Sequence, residues 1–223
     1  MNNNTFEWSN LLKDKRSKKV IFLAHCLLNE NTRYLGGACY QGPIPEIVKT
    51  CIEHGIGIVQ LPCPEQHAWG GVLKKRLLFF YGSKGIIWCW LRKLLLPIAL
   101  LYTKHVYRKL ANQAVYLIED YKNSDIKILG LVGVDASPSC GVCTTINIPK
   151  AVMSLGRITK DLTSSDDINQ IVMKNVEAGQ GFYIERIKRE LNKRGINIPF
   201  IAHDIINELK GNPSTADIQS LIN

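Results

Sequence analysis

The 223-residue sequence predicts an α/β fold, with a central, mainly parallel sheet flanked by helices. Three observations carry that expectation. Short, almost wholly apolar runs recur at 20–24, 56–61, 126–134 and 198–202, as strands covered on both faces read. Helical patterns separate those runs, as the crossovers between parallel strands require. No Gly/Ser-rich linker and no internal repeat divides the chain, so a single domain is expected, and 46% hydrophobic residues suffice to fill its core.

Residues 1–19 read as a polar, basic lead-in with one short helix near Phe6–Leu12. Val20–Ala24 (VIFLA) is the first strand and runs directly into His25-Cys26. A glycine-bearing loop follows, then a helix from Pro45 to His54, with proline at its start and Gly55 at its stop. Ile56–Leu61 is the second strand and ends in Pro62-Cys63-Pro64-Glu65. A helix over Lys104–Tyr121 carries Val106, Leu110, Ala114, Leu117 and Tyr121 on one stripe. The third strand, Ile126–Val134, leads into Asp135-Ala136-Ser137-Pro138-Ser139-Cys140-Gly141. The 147–177 stretch is a polar excursion in which Ser164-Ser165-Asp166-Asp167 can cap a helix over Ile168–Glu177. The helix Phe182–Lys193, stopped by Gly195, precedes the fourth strand, Ile198–Ala202. The α/β domain thus spans 20–210, includes an apolar, basic helical insert at 72–103, and is followed by a tail at 211–223.

The insert requires a membrane test. IIWCWLRKLLLPIALLY is very apolar, but Arg92 and Lys93 sit near its middle and Pro97 interrupts it. A spanning helix needs about 20 apolar residues without central charges. The segment is therefore read as a buried helical hairpin, with peripheral attachment to acidic lipid or contact with a protein partner as the alternatives. The whole chain carries a formal charge of +9. That balance suits an anionic partner, whether nucleic acid, a phosphorylated small molecule or an acidic membrane, without choosing among them.

Seven cysteines and a polar, basic N-terminus without a signal-like apolar segment argue against a disulfide framework and for a reduced, cytoplasmic setting. Three of the seven are placed alike: Cys26, Cys63 and Cys140 each follow the C-terminal end of a predicted parallel strand. Ligands of open α/β sheets bind along that edge, so the three thiols are expected to converge. A zinc ribbon or a plant-type ferredoxin would show close cysteine pairs instead of thiols from three distant strand ends. Two readings of the convergence stand: a cluster or metal with one open coordination position, or chance placement of buried small residues.

Cys26-Leu27-Leu28 followed by Arg33-Tyr34, Cys63-Pro64-Glu65 followed by Gly70-Gly71, and Ser137-Pro138-Ser139-Cys140-Gly141 together resemble the 2-thiouracil desulfurases, a Rossmann-like family. Gly179-Gln180-Gly181-Phe182 adds to the likeness, which covers about residues 20–200. The resemblance implies a [4Fe-4S] cluster held by Cys26, Cys63 and Cys140, with the fourth iron open to substrate sulfur. The substrate it implies is a small thiolated nucleobase whose thiocarbonyl becomes a carbonyl. Glu65 maps to the family's acidic catalytic residue and Ser137 to its catalytic serine, with Ser139 as second choice. Ser139 and Arg33 are also candidates for substrate binding, Arg33 through a uracil carbonyl or a phosphate. Thiouridine in tRNA is the alternative substrate, and a non-enzymatic iron–sulfur or sulfur-carrying protein is the alternative class.

The chemistry and the resemblance agree. A thiocarbonyl sulfur is soft and suits iron, an open iron polarises the C=S carbon, and a carboxylate beside it can activate water. Bland readings remain for each residue: Glu65 as a solvent-facing loop acid, Ser137 as a turn cap, and His25 and His67 as satisfied loop histidines. The sequence also departs from the family pattern. Asn29, Glu30, Asn31 and Thr32 stand where a second cysteine is usual in the first motif, Gln66-His67-Ala68-Trp69 extends the second, and Cys143 adds a thiol after the third. Cys143 is read as a ligand to the fourth iron, a persulfide-resolving thiol or a plain buried thiol. Cys39, Cys51 and Cys89 are read as structural.

Overall fold

Four parallel strands form the centre of the molecule, β1 (Lys19–Leu23), β2 (Gly57–Gln60), β3 (Lys127–Val134) and β6 (Phe200–His203), in the order β2-β1-β3-β6. The computed structural model describes residues 14–34, 36–76, 86–155, 165–211 and 218. The expected short helix near Phe6–Leu12, part of the insert (77–85) and most of the C-terminal tail lie outside the described residues. β1 has neighbours on both sides: Val20 is in register with Gly57 of β2, and Leu23 with Val132 of β3. β6 completes the sheet beside β3, Leu131 opposite Phe200. In β1 Ile21, Phe22 and Leu23 are fully buried, as an apolar run covered by helices on both faces should be. β2 differs from the expectation: as an edge strand it leaves Gly57, Ile58 and Gln60 exposed.

The helices follow from local sequence. α1 (His25–Leu28) continues directly from β1, and a single 3-10 turn (Glu30–Thr32) follows it. α2 (Pro45–Glu53) has proline in its first turn and buries Ile47 and Cys51. α3 (Pro64–Ala68) again has proline in its first turn, where the missing N–H costs nothing. α4 (Ile86–Asn123) and α7 (Phe182–Lys193) pack together over the sheet. The buried line of α4 runs through Tyr107, Ala111, Ala114, Val115 and Ile118. It is rotated by about one residue from the expected stripe, so that Val106, Leu117 and Tyr121 are only half-buried at its margin. There Tyr121 meets Phe22 edge-on, ring centres 5.7 Å apart. α7 answers with Tyr183, Ile184, Ile187 and Leu191.

The structure corrects two expectations. The described part of the apolar insert is not buried and does not break at Pro97: residues 86–102 are the N-terminal part of the 38-residue α4, Pro97 lies inside that helix, and Trp90, Leu94, Ile98 and Leu101 are exposed. Proline removes one hydrogen bond, at a cost of about 3 kcal/mol, but the leucine-, alanine- and arginine-rich flanks are strong helix formers on both sides. The 147–177 excursion holds more structure than one helix. α5 (Ile148–Leu155) and α6 (Ser165–Lys174) lie between β4 (Thr144–Ile146) and β5 (Val176–Ala178). β4 and β5 pair antiparallel, so Val176 and Glu177 are in a strand rather than in the expected helix. Three-residue strands are too short to leave a period in the sequence. The last helix, α8 (Ile205–Leu209), begins right after β6, with Asp204 accepting the Ile206 and Asn207 N–H groups.

Candidate functional site

Parallel strands deliver their C-terminal ends to one edge, and β2, β1 and β3 are neighbours there. Cys26 is the second residue of α1, Cys63 caps the N-terminus of α3, and Cys140 lies in the loop after β3. All three line one cavity, together with His25, Arg33, Glu65 and Lys74. Cys140 interacts electrostatically with both Cys26 and Cys63, and Cys63 with Cys26. Burial is the main influence on all three. It raises the Cys26 thiol and pushes Cys63 up to about 12, and with Cys26 close by it sets Cys140 well above the usual thiol range. Without a cation these are neutral thiols. A thiophilic cation would deprotonate them as it bound. The Cys63 sulfur also receives a hydrogen bond, from Gln66 N–H at 3.4 Å, and Ser139 Oγ lies 3.5 Å from Cys140 Sγ.

The loop that carries Cys140 is fixed from within. Ala136 has φ 55°, a left-handed conformation costing an L-residue about 1–2 kcal/mol. Beside it, Asp135 Oδ1 accepts the Val142 and Cys143 N–H groups, each at 2.9 Å. Ser137 Oγ accepts the Cys140 N–H at 3.1 Å and the Ser139 N–H at 3.3 Å. The start of α7 closes over this loop. Gly181 N–H donates to the Gly141 carbonyl at 2.9 Å, and a Cβ at Gly181 would stand 2.4 Å from the Ser139 carbonyl oxygen. The glycine of the Gly179–Phe182 motif is therefore required by close backbone approach.

Glu65 is not a solvent-facing loop acid. Its Oε1 accepts from Ser139 Oγ at 2.9 Å and from Ser137 Oγ at 3.3 Å, and its Oε2 pairs with Lys74 Nζ at 2.7 Å. Burial pushes the carboxyl up, but Lys74 and the two serines outweigh it and hold the group below the usual carboxylate range. Lys74 is likewise opposed by burial and raised on balance by Glu65 and Cys63. Its backbone reaches this place through a tight return: Gly70 and Gly71 have φ 90° and 87°, and Lys74 itself is left-handed at φ 49°. A left-handed lysine with a buried ammonium is strain held at a site. Of the two serines, Ser139 is 1% exposed and serves Glu65, whereas Ser137 is half-buried and faces the cavity as well as capping its own turn.

Arg33 lines the cavity, yet its guanidinium is already held. It pairs with Glu30 at 2.8 Å and Glu208 at 2.9 Å and donates to the Gly37 carbonyl, and its positive charge acts on the Cys26 thiol. Glu30 accepts the Cys39 and Tyr40 N–H groups, and Glu208 also meets His203 Nε2 at 2.8 Å. The first-motif arginine thus ties the Cys26 loop to α8 at the far end of the chain. His25 lines the cavity too, and burial with His67 nearby lowers its pKa, so the ring is neutral at pH 7.

Other sequence candidates fall elsewhere. Cys143 is an exposed thiol outside the cavity lining, not a buried one. Cys39 is also exposed and Cys51 is buried, while the Cys89 side chain lies outside the described residues. His67 does not line the cavity. Sequence reading passed over Lys74, Glu208 and His203. Lys74 stands in a run of basic residues with nothing local to single it out, and Glu208 is 175 residues from its partner Arg33. A left-handed turn signal at Gly70-Gly71 was the one local hint that the chain doubles back on Glu65.

Three thiols on one cavity, Cys140 buried and Cys26 and Cys63 half-buried, form a soft donor set, suited to thiophilic metals and iron–sulfur centres. Among the described residues, no group of three His, Cys, Asp or Glu side chains is placed to hold a single metal ion. Mononuclear ligands must crowd within about 2.3 Å of one point, whereas each cysteine ligand of a polynuclear cluster reaches its own iron. No family model matches the chain, and no solved structure matches it. Over 127 residues it is 23% identical to an uncharacterized protein of Methanocaldococcus jannaschii, a stretch covering 57% of this chain and 70% of that protein.

Proposed function

We propose that the chain is an iron–sulfur-dependent desulfurase that exchanges the thiocarbonyl sulfur of a thiolated pyrimidine, of the 2-thiouracil type, for oxygen. The observation that carries this reading is the joint lining of one cavity by Cys26, Cys63, Cys140 and a buried, ionised Glu65. Cys26, Cys63 and Cys140 are the residues that would hold a [4Fe-4S] cluster. When bound, the cluster supplies a soft, Lewis-acidic iron position for the thiocarbonyl sulfur. The net exchange consumes one water and releases hydrogen sulfide, with no net oxidation or reduction.

The chain's own residues supply the proton chemistry. Glu65 is kept as carboxylate at neutral pH, so it can take a proton from the attacking water. Ser139 on one oxygen and Lys74 on the other leave it little freedom to rotate. Ser137 faces the cavity, and its hydroxyl hydrogen, donated to Glu65 over a long 3.3 Å, can turn to a ring carbonyl while its lone pairs stay on the Ser139 and Cys140 N–H groups. Arg33 is a positioning residue here, since its guanidinium is held by Glu30, Glu208 and the Gly37 carbonyl.

The test is anaerobic reconstitution with iron and sulfide. The wild type should become brown, with the broad visible absorbance of an iron–sulfur protein, and turn 2-thiouracil into uracil with release of sulfide. Cys26→Ala, Cys63→Ala and Cys140→Ala should each lose the colour and the turnover. A colourless protein that retains zinc instead would overturn the reading. A coloured protein inactive on free bases but active on thiolated tRNA would move the substrate to RNA, and one inactive on both would leave a cluster carrier.

A further inference from the structure

The positive charge of this protein is segregated. Between Glu65 and Glu119 there is no Asp or Glu, while nine Lys and Arg fall in that interval. The other 19 Lys and Arg match the 19 Asp and Glu, so the whole net charge of +9 belongs to this one segment. The same segment contains the N-terminal half of α4. There Trp90, Leu94, Ile98 and Leu101 are 74%, 58%, 61% and 68% exposed. Their spacing of four, four and three residues puts them on one line of the helix, opposite the packed side. Further along that line the side chains change character, to His105, Arg108, Lys109 and Asn112, all exposed. The Gly70–Arg76 turn meets α4 at Tyr102, where the Arg76 guanidinium sits 5.7 Å from the ring centre, and it carries two more exposed apolar side chains, Val72 and Leu73, at 42% and 55%.

We infer that this face is a docking surface for anionic lipid bilayers. A line of large aliphatic and aromatic side chains bordered by cations is what a helix lying in the headgroup plane presents. Charge decides against the other occupants. A second copy would set one basic rim against another, with no acid in the segment to pair with it. Nucleic acid would engage the lysines and arginines but leave Leu94, Ile98 and Leu101 without partners, whereas the acyl boundary of a bilayer satisfies both. Attachment is peripheral, because among the described residues no helix is long and apolar enough to cross a membrane.

The test uses the full-length protein in vesicle flotation. Phosphatidylcholine vesicles are compared with vesicles of equal parts phosphatidylcholine and phosphatidylglycerol. Binding to the mixed vesicles should be at least about tenfold tighter, and added salt should weaken it. Leu94→Glu/Ile98→Glu should abolish it. Arg108→Gln/Lys109→Gln should weaken it and reduce its salt dependence. All four side chains are exposed, so both variants should keep the wild-type circular dichroism. The inference is overturned if neither vesicle floats the protein or if Leu94→Glu/Ile98→Glu still binds. It is also overturned if that variant dissociates a wild-type dimer in sedimentation, which would give the face to a second copy. Loss of tRNA binding in that variant, without any lipid binding by the wild type, would give it to RNA. None of these readouts depends on the cysteine site.

Discussion

Replacing Lys74 by methionine isolates the interaction that most constrains the candidate site. The Lys74 and Glu65 side chains are 8% and 15% exposed, and the ion pair is 2.7 Å long. Methionine keeps most of the volume and removes the charge, so Glu65 is left buried with only its two serine donors. Removing one member of a buried pair costs about 3–5 kcal/mol; with Ser137 and Ser139 still in place the lower end, about 3 kcal/mol, is expected at pH 7.5. For a protein of this size that corresponds to a fall in Tm of roughly 6–12 °C.

The pH dependence gives the reasoning its sign. In the wild type the Glu65 carboxyl lies below its ordinary value of 4.5. Its contribution is therefore complete above that value and is lost as pH falls through the folded pKa. The Lys74 ammonium lies above its ordinary 10.5, so its contribution is complete below that value and is lost as pH rises through the folded pKa. In Lys74→Met, burial acts on Glu65 without the cation and carries the carboxyl up. The folded variant then binds the proton more tightly than the unfolded chain does, and acid stabilises it. Urea unfolding of the two proteins at pH 7.5 and pH 4 should show the gap between them narrowing at the lower pH. Lys74→Met/Glu65→Gln should recover a large part of the loss. A gap independent of pH, or a double variant with the two single losses simply added, would refute a coupled ion pair.

Glu65→Gln, isosteric but unable to accept a proton, should lower the turnover of reconstituted enzyme by about 10²–10⁴-fold while leaving the cluster absorbance intact; unchanged turnover would remove Glu65 from the chemistry. Iron uptake by the apoprotein should release protons and tighten as pH rises, because burial keeps Cys26, Cys63 and Cys140 protonated; titration in weakly buffered solution measures it. Gly181→Ala should destabilise the fold by about 1–3 kcal/mol in urea unfolding, since the new methyl meets the Ser139 carbonyl. Brief treatment of the native protein with a thiol reagent, read by peptide mass spectrometry, should modify Cys39 and Cys143 and spare Cys51 and Cys140.

How much of this was legible beforehand depends on the range of the interaction. VIFLA, IKILGLVGV and the Phe182–Lys193 helix could be read directly, because residues a few positions apart set both their hydrogen bonding and their buried face. From the order of those elements came the parallel sheet, and from the parallel sheet came the meeting of Cys26, Cys63 and Cys140, since parallel strands bring their C-terminal ends to one edge. The 38-residue helix runs through Pro97 because the helix-forming flanks absorb a penalty that is local to the proline.

The tertiary structure decided the rest. Glu65 could be placed near Cys63 by its sequence distance, but its orientation depends on Lys74, which the Gly70-Gly71 turn brings back, and on serines more than 70 residues away. Arg33 reads as a substrate ligand until Glu30 and Glu208 close on it. The basic excess is plain in the composition, but only the packing of α4 shows that Trp90, Leu94, Ile98 and Leu101 face outward beside it. The sequence by itself determined which residues arrive at the sheet edge, because strand and helix periods are local. The fold determined which charges those residues meet there, because ionic partners are chosen by distance in space and leave no period along the chain.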